Sequence, residues 1–195
     1  LYSLIQKCDV VAIGGAMANT FLKAKGINLG MSLLEEDSIP TALLILQKAK
    51  ELSCKILLPT DVVCGDSVFD KVNINECNIK NISSSQMVLD IGSNSINEIA
   101  SQILISNAIL WNGPLGAFEY HPFERSSYEI IKAVKIRTLA GIPTIAGGGD
   151  TIAVIKMAKA DDSFSYISNA GGAFLEWLEC QSSPGYEALK NNKIN

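Results

Sequence analysis

Four short segments pair glycine with the residue types that hold phosphates and metals: Gly14-Gly15-Ala16, Asn112-Gly113-Pro114-Leu115-Gly116, Gly147-Gly148-Gly149-Asp150 and Asn169-Ala170-Gly171-Gly172. Glycine lets the backbone approach a ligand closely, and a helix that starts at such a turn offers unpaired N–H groups to an anion. Each segment also has a plainer reading. A βα turn can hold a glycine for packing, Asp150 can be a helix N-cap, Glu119 a solvated loop charge and Trp111 a core residue. A core does not demand glycine at one edge four times over. The segments point to a phosphate- or nucleotide-binding domain.

Familiar short signatures do not account for them. The chain lacks G-x-x-x-x-G-K-[ST], G-x-G-x-x-G and G-x-S-x-G, so it reads as neither a P-loop NTPase, a dinucleotide dehydrogenase nor an α/β hydrolase. Its single histidine, His121, has no partners for a zinc site or a serine triad and reads as a loop residue. The five cysteines, Cys8, Cys54, Cys64, Cys77 and Cys180, form no C-x-x-C pair and read as free thiols in a reducing cytosol.

The elements that must position these segments alternate. Val10 to Ile13 is an apolar run ending in glycine, and a helical stretch from Ala16 to Ala24 stops at Gly26. Asp37, Ser38 and Pro40 open a second helix, with Ile39, Leu43 and Leu46 on one face. Lys55 to Leu58 reads as a buried strand, and Val62 to Ser85 as a small antiparallel excursion. Met87-Val88-Leu89 is a strand, and Ser95 to Glu98 is a capping box for a helix carrying Ile96, Ile99 and Ile103. A strand over Ala108–Trp111, a helix over Phe123–Leu139, a strand over Thr144–Ala146 and a helix to Ala160 follow. Phe164 to Ile167 is a last strand, and Gly171-Gly172 opens a final short helix. This alternation predicts a single α/β domain over residues 1–195, a doubly wound, mostly parallel sheet with helices on both faces, Rossmann-like. Ligands then belong beyond the carboxyl ends of the strands, where the glycines lie.

Composition narrows the partners. The chain has 195 residues, 48% of them hydrophobic, enough for one real core. A net charge of −4 with scattered Lys and Arg argues against nucleic acid, and apolar runs such as Thr41 to Leu46 are too short to span a bilayer. No secretory signal opens the sequence, so a cytoplasmic location is expected. Leu1 to Lys7 already reads as helical, so the sequence is expected to be an excerpt, incomplete at its N-terminal edge.

Taken in order, the segments resemble phosphoglycerate kinase. Ile13-Gly14-Gly15-Ala16-Met17-Ala18-Asn19-Thr20-Phe21-Leu22, Gly30-Met31-Ser32-Leu33 with Glu35, and Leu58-Pro59-Thr60-Asp61-Val62-Val63 follow that family's pattern. So do Met87 to Gly92, Trp111 to Glu119, Thr144 to Thr151, Ile167 to Leu178 and Pro184-Gly185. The Trp111–Glu119 run and the Gly-Gly-Gly-Asp-Thr are its most specific parts. The resemblance runs from Cys8 to Leu189, nearly the whole chain.

It implies a C-terminal domain that binds Mg-ADP or Mg-ATP and transfers a phosphoryl group between 1,3-bisphosphoglycerate and ADP. By resemblance, Gly14, Gly15, Ala16, Leu33 and Leu89 wall the adenine, Asn112 and Pro114 lie along the nucleotide, and Glu119 accepts from the ribose hydroxyls. Gly147, Gly148 and Gly149 lead to Asp150, which holds the magnesium, with Thr151 beside the phosphates. Backbone N–H groups of Gly148 and Gly171 face the transferring phosphoryl. A lysine-bearing Gly-Gly-Ala-Lys segment and an N-terminal domain with the 3-phosphoglycerate site are expected before Leu1, the full-length enzyme being a monomer. Departures fall at Asn169-Ala170 (Thr-Gly is usual), Val88 (often glycine) and Ser93 (usually proline). An active kinase half, a nucleotide-binding module without chemistry and a purely interacting fold all remain open. Glu119, Asp150 and Thr151 together favour the first, and Ala170 the second.

Overall fold

Strands form where short apolar runs meet glycine or proline, and helices where apolar residues recur every three or four positions. In this computed structural model, described over residues 1–169, β1 (Val10–Ala12) leads into α1 (Gly15–Ala24), and α2 (Ile39–Glu51) returns to β2 (Lys55–Leu57). Next come β3 (Asp61–Gly65), β4 (Asn75–Asn78), β5 (Met87–Ile91) and α3 (Ser93–Ile105). The chain continues through β6 (Ile109–Trp111), α4 (Arg125–Leu139), β7 (Thr144–Gly147), α5 (Gly149–Met157) and β8 (Tyr166–Ser168). Ala170, Gly171, Gly172, the expected final helix, Cys180 and Pro184-Gly185 lie outside the described residues.

The chain is α/β, with helices between parallel strands, and the antiparallel excursion extends beyond the expected Val62–Ser85 to take in β5. The backbone ladders fall into three groups. β1 pairs with β2 in parallel, and β6, β7 and β8 form a parallel ladder in that order. β3 runs antiparallel between β4 and β5, with a register shift between Val63 and Cys64. The strands are only three to five residues long, so each ladder has few rungs and side-chain packing must join them.

That packing is apolar. α3, α4 and α5 bury Ile96, Ile99, Ile130, Ile131, Val134, Val154 and Ile155 against Trp111 and Ala146. Trp111 stacks on Phe164 with ring centroids 5.7 Å apart, which makes it the core residue of its plainer reading. A second cluster joins α1 and α2 through Ala18, Phe21, Ala42, Ile45 and Ala49. The buried face of α2 is therefore offset from the expected one: Leu43 is exposed, because small residues at Ala42 and Ala49 let α2 approach α1 closely.

The helix ends show what the local sequence does. α4 closes in a Schellman turn: Ile142 N–H donates to the Arg137 carbonyl and Gly141 N–H to Thr138, with Gly141 at φ +78°. α5 closes the same way, Ala160 to Ile155 and Lys159 to Lys156, yet here Lys159 takes the left-handed conformation at φ +52°. The expected capping box of α3 does not form. The helix begins at Ser93 with Gly92 as its N-cap, three residues before the expected cap, and the Ser95 hydroxyl is drawn away to Asp61.

Candidate functional site

The loops at the ends of β1, β6 and β7 and the middle of β5 are stapled to one another by backbone amides. Gly15 N–H donates to the Leu115 carbonyl (3.0 Å), and Ala117 N–H to the Leu89 carbonyl (2.8 Å). Gly113 N–H donates to the Thr151 hydroxyl (2.6 Å). Segments distant in sequence, Gly15 and Leu115 the most widely separated, thus form one surface. A side chain at Gly14 would collide with Leu115, so the first of these joints also excludes anything larger than glycine.

Between them lies a cleft of about 270 Å³, lined by Gly15, Ala16, Leu33, Pro59, Val68, Leu89, Gly116 and Ala117 among others. Its walls are mostly apolar. Leu33 is 76% exposed at the rim. The Asn19 amide donates to the Leu33 carbonyl (3.0 Å), which fixes that part of the rim.

The four helices that start near this surface begin in two different ways. The amides of Asn94 and Ser95 at the start of α3 donate to the two Asp61 carboxylate oxygens, each at 2.8 Å. At the start of α4, the Ser126 amide (3.1 Å) and hydroxyl donate to Asp90. Burial alone would raise the Asp61 carboxyl, but hydrogen bonds from Ser95 and Asn94 outweigh it and hold it below the ordinary aspartate value. Asp90 is 2% exposed, and there burial wins: its carboxyl is pushed up to about 6 despite the bonds from Ser126 and the Ile91 amide. α1 and α5, in contrast, begin at Gly14 and Gly148 with no side-chain cap. The first amide of α1, Gly15 N–H, is taken up by Leu115, whereas no side chain caps the glycine turn that opens α5. At Gly148 the backbone has φ +97°, and a side chain would meet the Asn112 amide oxygen at 2.7 Å.

A model of the phosphoglycerate kinase family matches residues 1–181. The chain belongs to that family. It is 44% identical over 191 residues to the phosphoglycerate kinase of Rhizobium meliloti and 46% identical over 191 residues to that of Orientia tsutsugamushi strain Boryong. These alignments cover 97% of this chain and 48% and 47% of the relatives, so the chain spans about half their length. The structure of phosphoglycerate kinase from Coxiella burnetii superposes with a TM-score of 0.89 at 36% identity, covering 96% of this chain and 46% of that one. The phosphoglycerate kinase from Pyrococcus horikoshii OT3 gives 0.77 at 26% identity, over 97% and 49%.

The residues that family resemblance singles out fall into two groups. Gly15, Ala16, Leu33 and Leu89 line the apolar cleft, with Gly14 and Pro114 at its β1–β6 joint. Asn112, Gly148, Gly149, Asp150 and Thr151 gather at the β6–β7 joint, Gly147 being the buried last residue of β7. Asp150 is exposed in the first turn of α5, whereas Thr151 is 1% exposed and its hydroxyl holds the Gly113 amide. Glu119 is exposed two residues past the cleft wall at Ala117. Gly171 lies outside the described residues. His121 is a loop residue whose Nδ1 pairs with Glu124 Oε1 at 2.7 Å. Cys8, Cys54, Cys64 and Cys77 are free thiols. Among the described residues no helix is long and apolar enough to cross a membrane. No local motif marks Asp61 or Asp90, although Asp90, inside the apolar β5, is the kind of acidic residue whose carboxylate needs an internal partner.

Proposed function

We propose that this chain supplies the Mg-nucleotide half of a glycolytic phosphoglycerate kinase. The reaction is reversible phosphoryl transfer between 1,3-bisphosphoglycerate and ADP, giving 3-phosphoglycerate and ATP. The observation that carries the reading is the pairing of an apolar cleft, sized for a flat base, with two glycine helix starts beside it that carry no side-chain cap. The base lies between Gly15-Ala16, Leu33 and Leu89, the ribose hydroxyls donate to Glu119, and the phosphates run past Asn112 and Pro114 toward Gly148 and Gly149.

Magnesium fits this arrangement through one protein ligand. Among the described residues no three His, Cys, Asp or Glu side chains form a metal cluster, and magnesium on a nucleotide needs only one or two carboxylates beside phosphates and water. Asp150 is that carboxylate. The bound ion would neutralise charge on the phosphate oxygens. The chain's own contribution is to place the terminal phosphoryl in line for transfer and to offer it the Gly148 and Gly171 amides, with Thr151 fixing the loop behind.

The acceptor site belongs to a second half of the enzyme, which also excludes water when the halves close. A cytoplasmic, monomeric enzyme is the expected context. The test mixes this chain with ADP, Mg²⁺ and 1,3-bisphosphoglycerate, alone and with a separately made N-terminal half. ATP formation only on mixing supports the proposal, and turnover by the chain alone overturns the division of labour. A nucleotide-binding module without chemistry is the second reading, favoured by Asn169-Ala170; a chain that binds ADP but never gains activity on mixing would establish it.

A further inference from the structure

Phe69 is an odd residue for a loop tip, its phenyl 71% exposed on the connection between β3 and β4. The base of that loop is fixed. The Asn73 amide donates to Asp66 Oδ2 (2.6 Å), and the Gln86 amide to the Asn73 carbonyl (2.7 Å). From this base Val68 reaches the wall of the apolar cleft, and the next ring, Phe69, meets Tyr120 edge to face, centroids 5.2 Å apart and planes at 82°. Tyr120 stands just beyond the opposite contribution to the wall, Gly116-Ala117. Its backbone is held from both sides, its N–H donating to Ala117 (2.9 Å) and its carbonyl accepting from Phe123 (2.8 Å). One ring is anchored, the other rides on a loop tip, and their contact joins two segments that share the cleft.

We infer that Phe69 and Tyr120 form an aromatic clasp that keeps a purine base seated in the apolar cleft; this rests on the nucleotide reading of that cleft. The walls offer a flat ring apolar contact and few polar groups to read its edge, so residence depends on how well the Val68 wall stays in place. The ring pair supplies that hold. Phe69 is a positioning residue, acting through Val68, and its effect falls on dissociation more than on association.

The test is an ADP titration to millimolar concentration, with dissociation rates by stopped flow, on the 195-residue chain and its variants. Phe69→Ala and Tyr120→Ala are each expected to weaken ADP about three- to tenfold through faster release, the range an edge-to-face ring pair supplies. Tyr120→Phe, which keeps the ring, should match wild type. The double alanine variant should be no worse than either single, because the same contact is lost. Inorganic pyrophosphate, which has no base, should bind all of them equally. Unchanged ADP affinity and release in both alanine variants overturns the clasp, as does an equal loss for pyrophosphate. A wild-type chain that takes no ADP at all overturns the nucleotide reading itself, and the clasp with it.

Discussion

Asp90 on β5 accepts hydrogen bonds from both the amide and the hydroxyl of Ser126, thirty-six residues later in the first turn of α4. The strand thereby caps a helix it is not next to in sequence, and the carboxylate complements the helix dipole. Burial nevertheless raises its pKa to about 6. A raised folded-state pKa means that the folded chain binds a proton more tightly than the unfolded one. The group's contribution to stability is therefore complete below about pH 4 and is lost as pH rises through about 6. Unfolding followed in urea should show wild type losing up to roughly 3 kcal/mol relative to Asp90→Asn between pH 4 and pH 7. A difference between the two proteins that does not vary with pH would place the Asp90 pKa near its ordinary value.

Asp150 is exposed in the first turn of a helix whose N-cap is glycine. Asp150→Ala should weaken ADP binding in the presence of Mg²⁺ by roughly tenfold or more, the scale of a lost charged contact. Without Mg²⁺ the two proteins should bind alike. If the carboxylate served only the helix, the change would cost about 1 kcal/mol of stability and act equally in both titrations.

Glu119 should distinguish ribonucleotides from deoxy forms by on the order of 1.5–3 kcal/mol, as hydrogen bonds to a charged acceptor do. The comparison is ADP against its 2′,3′-dideoxy analogue in wild type and in Glu119→Gln. The preference should shrink in the variant. An identical ratio in both proteins would remove Glu119 from the ribose.

Lys159 ends α5 in the left-handed region, where Gly141 ends α4. Lys159→Gly relieves that strain and gives back part of the gain as unfolded-chain entropy, so it should stabilise by up to about 1 kcal/mol. Thermal unfolding reads this directly, and a lower melting temperature would mean that the lysine side chain contributes more than its backbone costs.

Local pattern carried most of the elements. Ile96, Ile99 and Ile103 sit on the core side of α3 as their spacing implied, and Gly26 and Gly141 follow the helices they were read to end. What pattern could not supply was contact between distant segments. The Ser95–Glu98 capping box was a sound local reading, but Asp61, thirty-four residues upstream, outcompetes the local cap. The α2 face was misphased for a similar reason, since leucine at position 43 looks more core-like than alanine at 42 until α1 is laid against it. Glycine placement made the cleft legible, whereas Val68, Phe69 and Tyr120 reach it through a loop whose geometry no periodicity encodes.

The three backbone ladders have a consequence for how the molecule breathes. Each can lose its hydrogen bonds without unzipping the others, so amide exchange should reveal separate opening units rather than one global event. The proposed nucleotide would touch all three: Gly14 follows the first ladder, Leu89 belongs to the second, and Asn112 and Gly148 follow strands of the third. A bound ligand would then act as mortar between courses, slowing exchange in strands that it never contacts and turning a set of semi-independent pieces into one cooperative body.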